Sequence, residues 1–234
     1  MKKLVAIILV LTFLTGVLAG CGPEVPSGQV TSEQPASDPS DQTPDTVSLG
    51  RLEGGVYTNT YAGIGCSLDE SWTYYSAEEL QELPANISEV LEGSLGEDAL
   101  TKNPSITDMM AENTASYGNI NVVYTYLPLT ERLTYKLLND SDLIEMTLET
   151  GEAALRSSYE TMGLEEISFE QVIVTFLGEN RVALKTHGIT SGVDYYILQI
   201  FDYSLGAYGV TVTASSFGED TTQDLLNVFY AVEE

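Results

Sequence analysis

The sequence predicts an α/β domain with a mainly antiparallel sheet flanked by helices, and three observations carry that expectation. Residues 167–177, 181–189, 194–203 and 207–215 form four strand-like runs. Their connectors, Gly178-Glu179-Asn180, Thr190-Ser191-Gly192 and Ser204-Leu205-Gly206, are short and rich in turn formers, which makes this an antiparallel meander. Upstream, residues 119–127 alternate, with Val122, Tyr124 and Tyr126 on one face and Val123 and Thr125 on the other, until Pro128 interrupts. Helical stretches at 141–163 and 220–232 bracket the meander, and helices placed there can cover both faces of the sheet.

The chain begins with Lys2 and Lys3, an uncharged apolar run over 4–17, and then Leu18-Ala19-Gly20-Cys21. This is the layout of an export signal. Its end resembles a bacterial lipobox, which implies diacylglycerol attachment to the Cys21 thiol, cleavage between Gly20 and Cys21, and retention on the outer side of the cell membrane. An ordinary secretory signal or an N-terminal anchor are the alternatives. Residues 4–20 are at or below the length that crosses a bilayer, and no stop-transfer charge cluster follows.

Residues 22–50 are rich in Pro, Ser, Thr, Gln, Asp and Gly and contain no Lys, Arg or aromatic residue, too little apolar surface to repay ordering. The resulting division is a signal peptide over 1–20, a lipidated N-terminus and disordered acidic spacer over 21–50, and one domain over 51–234. The chain holds 35 acidic and 9 basic residues. Loss of residues 1–20 removes two lysines and no acid, so 7 bases remain against 35 acids, a charge of −28. That charge opposes binding to nucleic acid and to anionic headgroups, so the lipid has to supply the anchoring.

Within the domain, residues 54–61 alternate as a strand with Tyr57 and Tyr61 on one face, 62–65 turn, and Ile64, Cys66 and Leu68 repeat at a period of two. Asp69-Glu70-Ser71 breaks the pattern before Trp72, Tyr74 and Tyr75. Ser76 and Glu79 then form a capping box for a short helix using Leu80 and Leu83, ended by Pro84. A second short helix is expected over 86–95 and a better one over 107–115, with Met109 and Met110 as packing residues. Residues 130–138 read as either strand or helix. The longest helix starts at Ser141-Asp142 and stops near Gly163, with Gly151 as a possible kink. The closing helix over 220–232 offers Leu225, Leu226, Phe229 and Val232 to the sheet.

Tyr57-Thr58-Asn59-Thr60-Tyr61-Ala62-Gly63-Ile64-Gly65, Asp69-Glu70-Ser71-Trp72-Thr73-Tyr74, the meander over 166–215 and the segment 220–229 together resemble the PsbP-like fold group. That group includes photosynthetic extrinsic proteins, Ran-binding Mog proteins and small bacterial lipoproteins. The resemblance implies a PsbP-like α/β sandwich whose first hairpin packs beneath the sheet, and a tendency to act by binding or assembly. The chain lacks a thylakoid-directed segment and carries an export signal, so the partners of the photosynthetic and Ran-binding branches do not carry over.

Few residues suggest chemistry. Cys66 sits between apolar residues, far in sequence from the single histidine, His187, and reads as a packed thiol. His187 lies inside a strand and lacks the companions of a catalytic zinc site. The glycines of 50–55 and 63–65 lack phosphate-loop spacing, and Asp202 stands where a nucleophile elbow at Ser204 would need glycine. The acid pairs Asp69/Glu70, Glu78/Glu79, Asp140/Asp142, Glu165/Glu166 and Glu219/Asp220 read as turns, helix starts or solvated faces. Asn139-Asp140-Ser141-Asp142 hints at a calcium loop that it does not complete.

Fourteen tyrosines can either line a half-buried sheet or recognise a ligand. Trp72, Tyr74, Tyr75, Tyr195 and Tyr196 are the candidates for a binding surface. These features favour a non-enzymatic binding or assembly domain for a protein, peptide or glycan, with no cofactor and no metal. The alternative is an envelope or extracellular polymer hydrolase using paired carboxylates.

Overall fold

The computed structural model describes residues 49–81, 105–203 and 205–232. The signal, Cys21, the spacer up to residue 48, the expected helix at 86–95 and Ser204 lie outside the described residues. The described chain is a mixed α/β fold with antiparallel sheets flanked by helices.

Two sheets form. β1 (Arg51–Glu53), β2 (Val56–Asn59) and β3 (Ile64–Ser67) make a small sheet of order β1-β2-β3-β11, where β11 is Phe229–Ala231. The larger sheet has seven strands in the order β4-β5-β6-β10-β9-β8-β7. Its strands are β4 (Trp72–Tyr74), β5 (Ser105–Asn113), β6 (Asn119–Tyr126), β7 (Glu165–Phe176), β8 (Glu179–Thr190), β9 (Val193–Asp202) and β10 (Tyr208–Phe217). The last four are the expected antiparallel meander, and β10 returns to pair with β6.

The helices are α1 (Ala77–Gln81), α2 (Leu129–Tyr135), α3 (Asp140–Thr161) and α4 (Thr222–Leu226). The capping box forms as read: the Ser76 amide donates to Glu79 Oε2 at 2.8 Å and the Glu79 amide donates to Ser76 Oγ at 3.2 Å. The ambiguous stretch 130–138 resolves as helix up to Tyr135 and as turn beyond it. Asn139 caps the 22-residue α3 by accepting from the Asp142 amide at 3.0 Å, which gives the acidic Asn139–Asp142 stretch a local role.

Three expectations need correction. Residues 107–115 are not helical: β5 carries an extra residue between Thr107, opposite Val123, and Met109, opposite Val122. This bulge displaces the inward apolar positions to Ile106 and Met109, with Met110 following, a spacing that imitates one face of a helix. Helix over 220–232 is also wrong, since it stops at Leu226 and Phe229 pairs opposite Cys66 as a strand. Leu225, Leu226 and Phe229 are nonetheless buried against the sheet. Finally, helices alone do not cover the two faces of the large sheet. α3 packs on β7 and β8 on one face, while the small sheet and α4 close the other.

Consequently the two faces of the large sheet differ. Toward the small sheet, Ile120, Val122, Leu198, Ile200, Val210 and Val212 join Tyr57, Ile64 and Cys66 in the main core. Toward the helices, the same strands alternate to Asn121, Thr125, Gln199, Thr211, Thr213 and Ser215, all buried. Two apolar clusters lie on that side, one around Tyr159, Tyr195 and Ile197 and one around Ile144, Leu184 and Phe201, and Leu148 and Phe169 pack against both.

Candidate binding groove and its buried carboxylate

The extra residue of the β5 bulge is Asp108, and the bulge aims its carboxylate at the hairpin of the small sheet. Tyr57 Oη donates to Asp108 Oδ2 at 2.5 Å and Asn59 Nδ2 donates to the same oxygen at 2.7 Å. The Gly50 amide donates to both oxygens, at 2.9 and 3.0 Å. Asn59 Nδ2 also reaches Tyr124 Oη at 2.6 Å, while its Oδ1 accepts from the Ala62 amide at 2.8 Å. One asparagine thus ties the hairpin turn, the carboxylate and β6 together. Gly50 is required by space: a Cβ there would lie 2.3 Å from Cε2 of the Tyr57 ring.

Asp108 is only 8% exposed. Burial pushes its carboxyl up to about 6, against the opposing pull of the Tyr57, Gly50 and Asn59 hydrogen bonds. Burial, then the charge of Asp108, raises the hydroxyls of Tyr57 and Tyr124 as well.

Beside this cluster opens a groove of about 1080 Å³, bounded by β1 and β2 on one side and by β5 with the β4–α1 connection on the other. Tyr74, Tyr75, Leu80, Met109 and Met110 form its apolar lining, and Arg51, Thr58 and Thr60 are among its polar groups. Tyr74 Oη donates to the Cys66 carbonyl at 3.1 Å, and burial raises its hydroxyl. Tyr75 Oη lies 3.4 Å from Glu112 Oε2, and burial together with Glu112 pushes it up to about 12.

The structure brings Tyr74 and Tyr75 of the expected surface into this groove. Trp72 is half-buried in β4 opposite Asn113 and packs on the main core without lining the groove. Tyr195 is fully buried on the helix side, stacked on Phe217 with ring centres 4.3 Å apart. Tyr196 points to the other face of β9 and stacks on His187 at 4.7 Å, with Lys185 Nζ 5.8 Å from its ring centre. Since β5, β6 and β10 separate β4 from β9, the five aromatics do not share one surface.

Seven of the 14 tyrosines are buried, which places much of the tyrosine content in the core. Tyr203 illustrates why: its ring occupies the space that a Cβ at Gly209 would fill.

The other singled-out groups have local partners. His187 Nε2 lies 2.8 Å from Asp194 Oδ1. Arg181 binds Asp140 at 2.7 Å, and Lys185 pairs with Asp220. Hydrogen bonds from Ser71 hold Asp69 below the usual carboxylate range. Cys66 is fully buried, and its thiol is pushed up to about 11 by burial, the behaviour of a packed thiol rather than a nucleophile. Among the described residues, no group of three or more His, Cys, Asp or Glu side chains is placed to hold a metal ion.

Sequence reasoning missed Asp108, although the Tyr57-x-Asn59 pattern that grips it stood out. The signal that could have found it is the mismatch between β-forming flanks at Ile106 and Thr107 and the apolar spacing that follows.

No protein-family model matches the chain, and no curated protein matches it. Among solved structures, a protein of Bacteroides thetaiotaomicron is 12% identical and superposes with a TM-score of 0.31, over 80% of this chain and 49% of that one. The chain spans about half the length of that protein, and a likeness this distant supports no functional argument.

Proposed function

We propose that the chain is an outward-facing, lipid-anchored membrane protein whose domain, of the PsbP-like kind, works by binding or assembly, taking part of a protein, peptide or glycan into the groove beside Asp108. The observation that carries this reading is the engagement of Asp108. Acid–base hydrolysis by paired carboxylates needs two such groups facing a cleft at a set separation, with oxygens free to meet substrate. Both Asp108 oxygens are instead held by Gly50, Tyr57 and Asn59, so the groove is braced by its carboxylate and recognises through aromatic, thioether and hydroxyl groups. The Leu18-Ala19-Gly20-Cys21 sequence supports the anchor, and no helix among the described residues is long and apolar enough to cross a membrane.

Affinity capture from intact cells with the anchor retained, followed by reconstitution from purified components, tests the binding role. Saturable binding that weakens on Tyr75→Ala is expected; turnover of an envelope polymer, with no reconstituted partner, would overturn it. Localisation is tested separately by intact mass and membrane fractionation. Cys21→Ser should remove the lipid mass and leave either a released chain or an uncleaved precursor, with domain stability unchanged because Cys21 precedes the domain.

A further inference from the structure

The large sheet ends, on the side away from the groove, in a strand whose outer edge is open in its middle. β7 stands last in the strand order and pairs only with β8. Its register is continuous from Ser168 to Phe176, so its backbone N–H and C=O groups point alternately toward β8 and away from it. Thr175 fixes which residues point away: its amide donates to Gln223 Oε1 at 3.2 Å and its carbonyl accepts from Gln223 Nε2 at 3.0 Å. Phe169, Gln171 and Ile173 share that parity, and their outward backbone groups have no hydrogen-bond partner among the described residues.

Side chains close both ends of this edge. At one end Arg156 of α3 donates through Nη1 to the Ile167 carbonyl at 2.6 Å. At the other, the Gln223 amide of α4 does for Thr175 what a neighbouring strand would do. Between them lies a window of outward donors and acceptors from Phe169 to Ile173. The Gln171 side chain is drawn aside to Ser141 Oγ, at 2.7 Å, and ties the middle of the window to the start of α3. Ile173 is 76% exposed, so the far end is uncovered. Open edges are usually blunted by lysine, proline or a covering element, and β7 contains no Lys, Arg or Pro.

The flanking side chains define what fits. Glu165, Glu166 and Glu170 of β7 are all exposed. The cations across the ladder are engaged elsewhere: Lys185, opposite Glu170, pairs with Asp220, and Arg181, opposite Val174, pairs with Asp140. An added strand would place one face beside Ile173 and the other beside Glu170, which favours alternating apolar and basic residues. A second copy fits poorly. Symmetric pairing about Gln171 would set the two Glu170 side chains diagonally across one face, between chains that are each strongly acidic.

We propose that β7 takes up an extended segment of a partner protein as an eighth strand between the Arg156 and Gln223 clamps, the segment alternating basic and apolar residues. Main-chain hydrogen bonds to Phe169, Gln171 and Ile173 supply the attachment, and the glutamates select the charge. This surface is separate from the groove beside Asp108, which lies at the other edge of the sheet.

The test is calorimetry and amide hydrogen exchange by NMR on the purified full-length chain with the capped peptide Thr-Lys-Val-Lys-Val-Lys-Thr. Its controls carry glutamate at the three lysine positions, or N-methyl groups on either the lysines or the valines. The lysine peptide should bind saturably, at least tenfold more tightly than the glutamate peptide. The amides of Phe169, Gln171 and Ile173 should gain protection, and only one of the two N-methylated forms should lose binding, because alternate residues face β7. Gln171→Pro removes the middle outward donor without touching the β8 ladder and should weaken binding at least tenfold, in protein shown by circular dichroism to be folded. Ile173→Lys keeps every backbone donor and should weaken binding by a smaller factor through like charge. The proposal is overturned if the lysine peptide does not saturate, if both charge forms bind alike, or if folded Gln171→Pro and Ile173→Lys both bind as wild type. Protection at groove residues instead of β7, or protection of β7 that grows with protein concentration in the absence of peptide, would equally overturn it.

Discussion

On their small-sheet face, the strands β5, β6, β10 and β9 carry Ile, Val, Leu and Tyr at near-complete burial, and the carboxylate that intrudes there, Asp108, has both oxygens engaged by donors. On their helix face they carry Thr, Ser, Asn and Gln, equally removed from water, and Gln199 is left with donors and acceptor unused. Burial is the same on both sides; hydrogen-bond accounting is not. A polar group fully answered from within the fold serves stability, whereas one left unanswered in a buried site is a cost that the packing around it has to offset.

Removing the answered group should produce the largest effect. Asp108→Ala strands the Tyr57 hydroxyl, the Asn59 amide and the Gly50 amide in the core, and should cost about 3–5 kcal/mol in urea unfolding. A loss below about 1 kcal/mol would mean that the clamp is not a stability element. The pH profile sharpens the same point. The native carboxyl keeps its proton up to about pH 6, whereas in the unfolded chain it ionises near pH 4. The native state therefore binds the extra proton in that window, and Asp108 lowers stability as pH rises from about 4 to about 6, by about 3 kcal/mol in all. Other acids run the opposite way, Asp220 among them. The measurement is therefore the difference between wild type and Asp108→Asn, which should change across that window and be flat above it.

A paired exchange tests the faces directly. Val212→Thr buries a hydroxyl in the apolar core and should cost about 1–3 kcal/mol, while Thr213→Val, the next residue on the other face, should change stability by less than about 1 kcal/mol. Equal costs in thermal unfolding would erase the distinction between the faces. The smallest effect is expected away from both: Asn139→Ala removes the α3 cap and should cost about 1 kcal/mol by the same measurement.

Local signals made much of this legible. The meander followed from its turn residues, the α1 start from Ser76 and Glu79, and β6 from plain alternation. What escaped depends on partners distant in sequence. A single bulged residue turned the period of β5 into that of a helix, and Phe229 is a strand because β3 offers it an open edge, not because its neighbours prefer extension. The groove was half visible, through Tyr74 and Tyr75, but its carboxylate was hidden inside the misread segment. Gln199 looked like any strand residue until its neighbours could be inspected.

The pairing of β11 with β3 also dictates an order of events. Cys66 meets Phe229 across nearly the whole described domain, so a chain delivered N-terminus first makes the β2–β3 hairpin long before its last neighbour exists. Until then one side of β3 is an exposed row of backbone donors and acceptors, open to any passing strand, including the same strand of another copy. The final residues act as a latch on the first hairpin. A chain cut short before Phe229 should keep its seven-stranded sheet in principle yet leave that edge permanently available, making self-association rather than simple unfolding its characteristic failure.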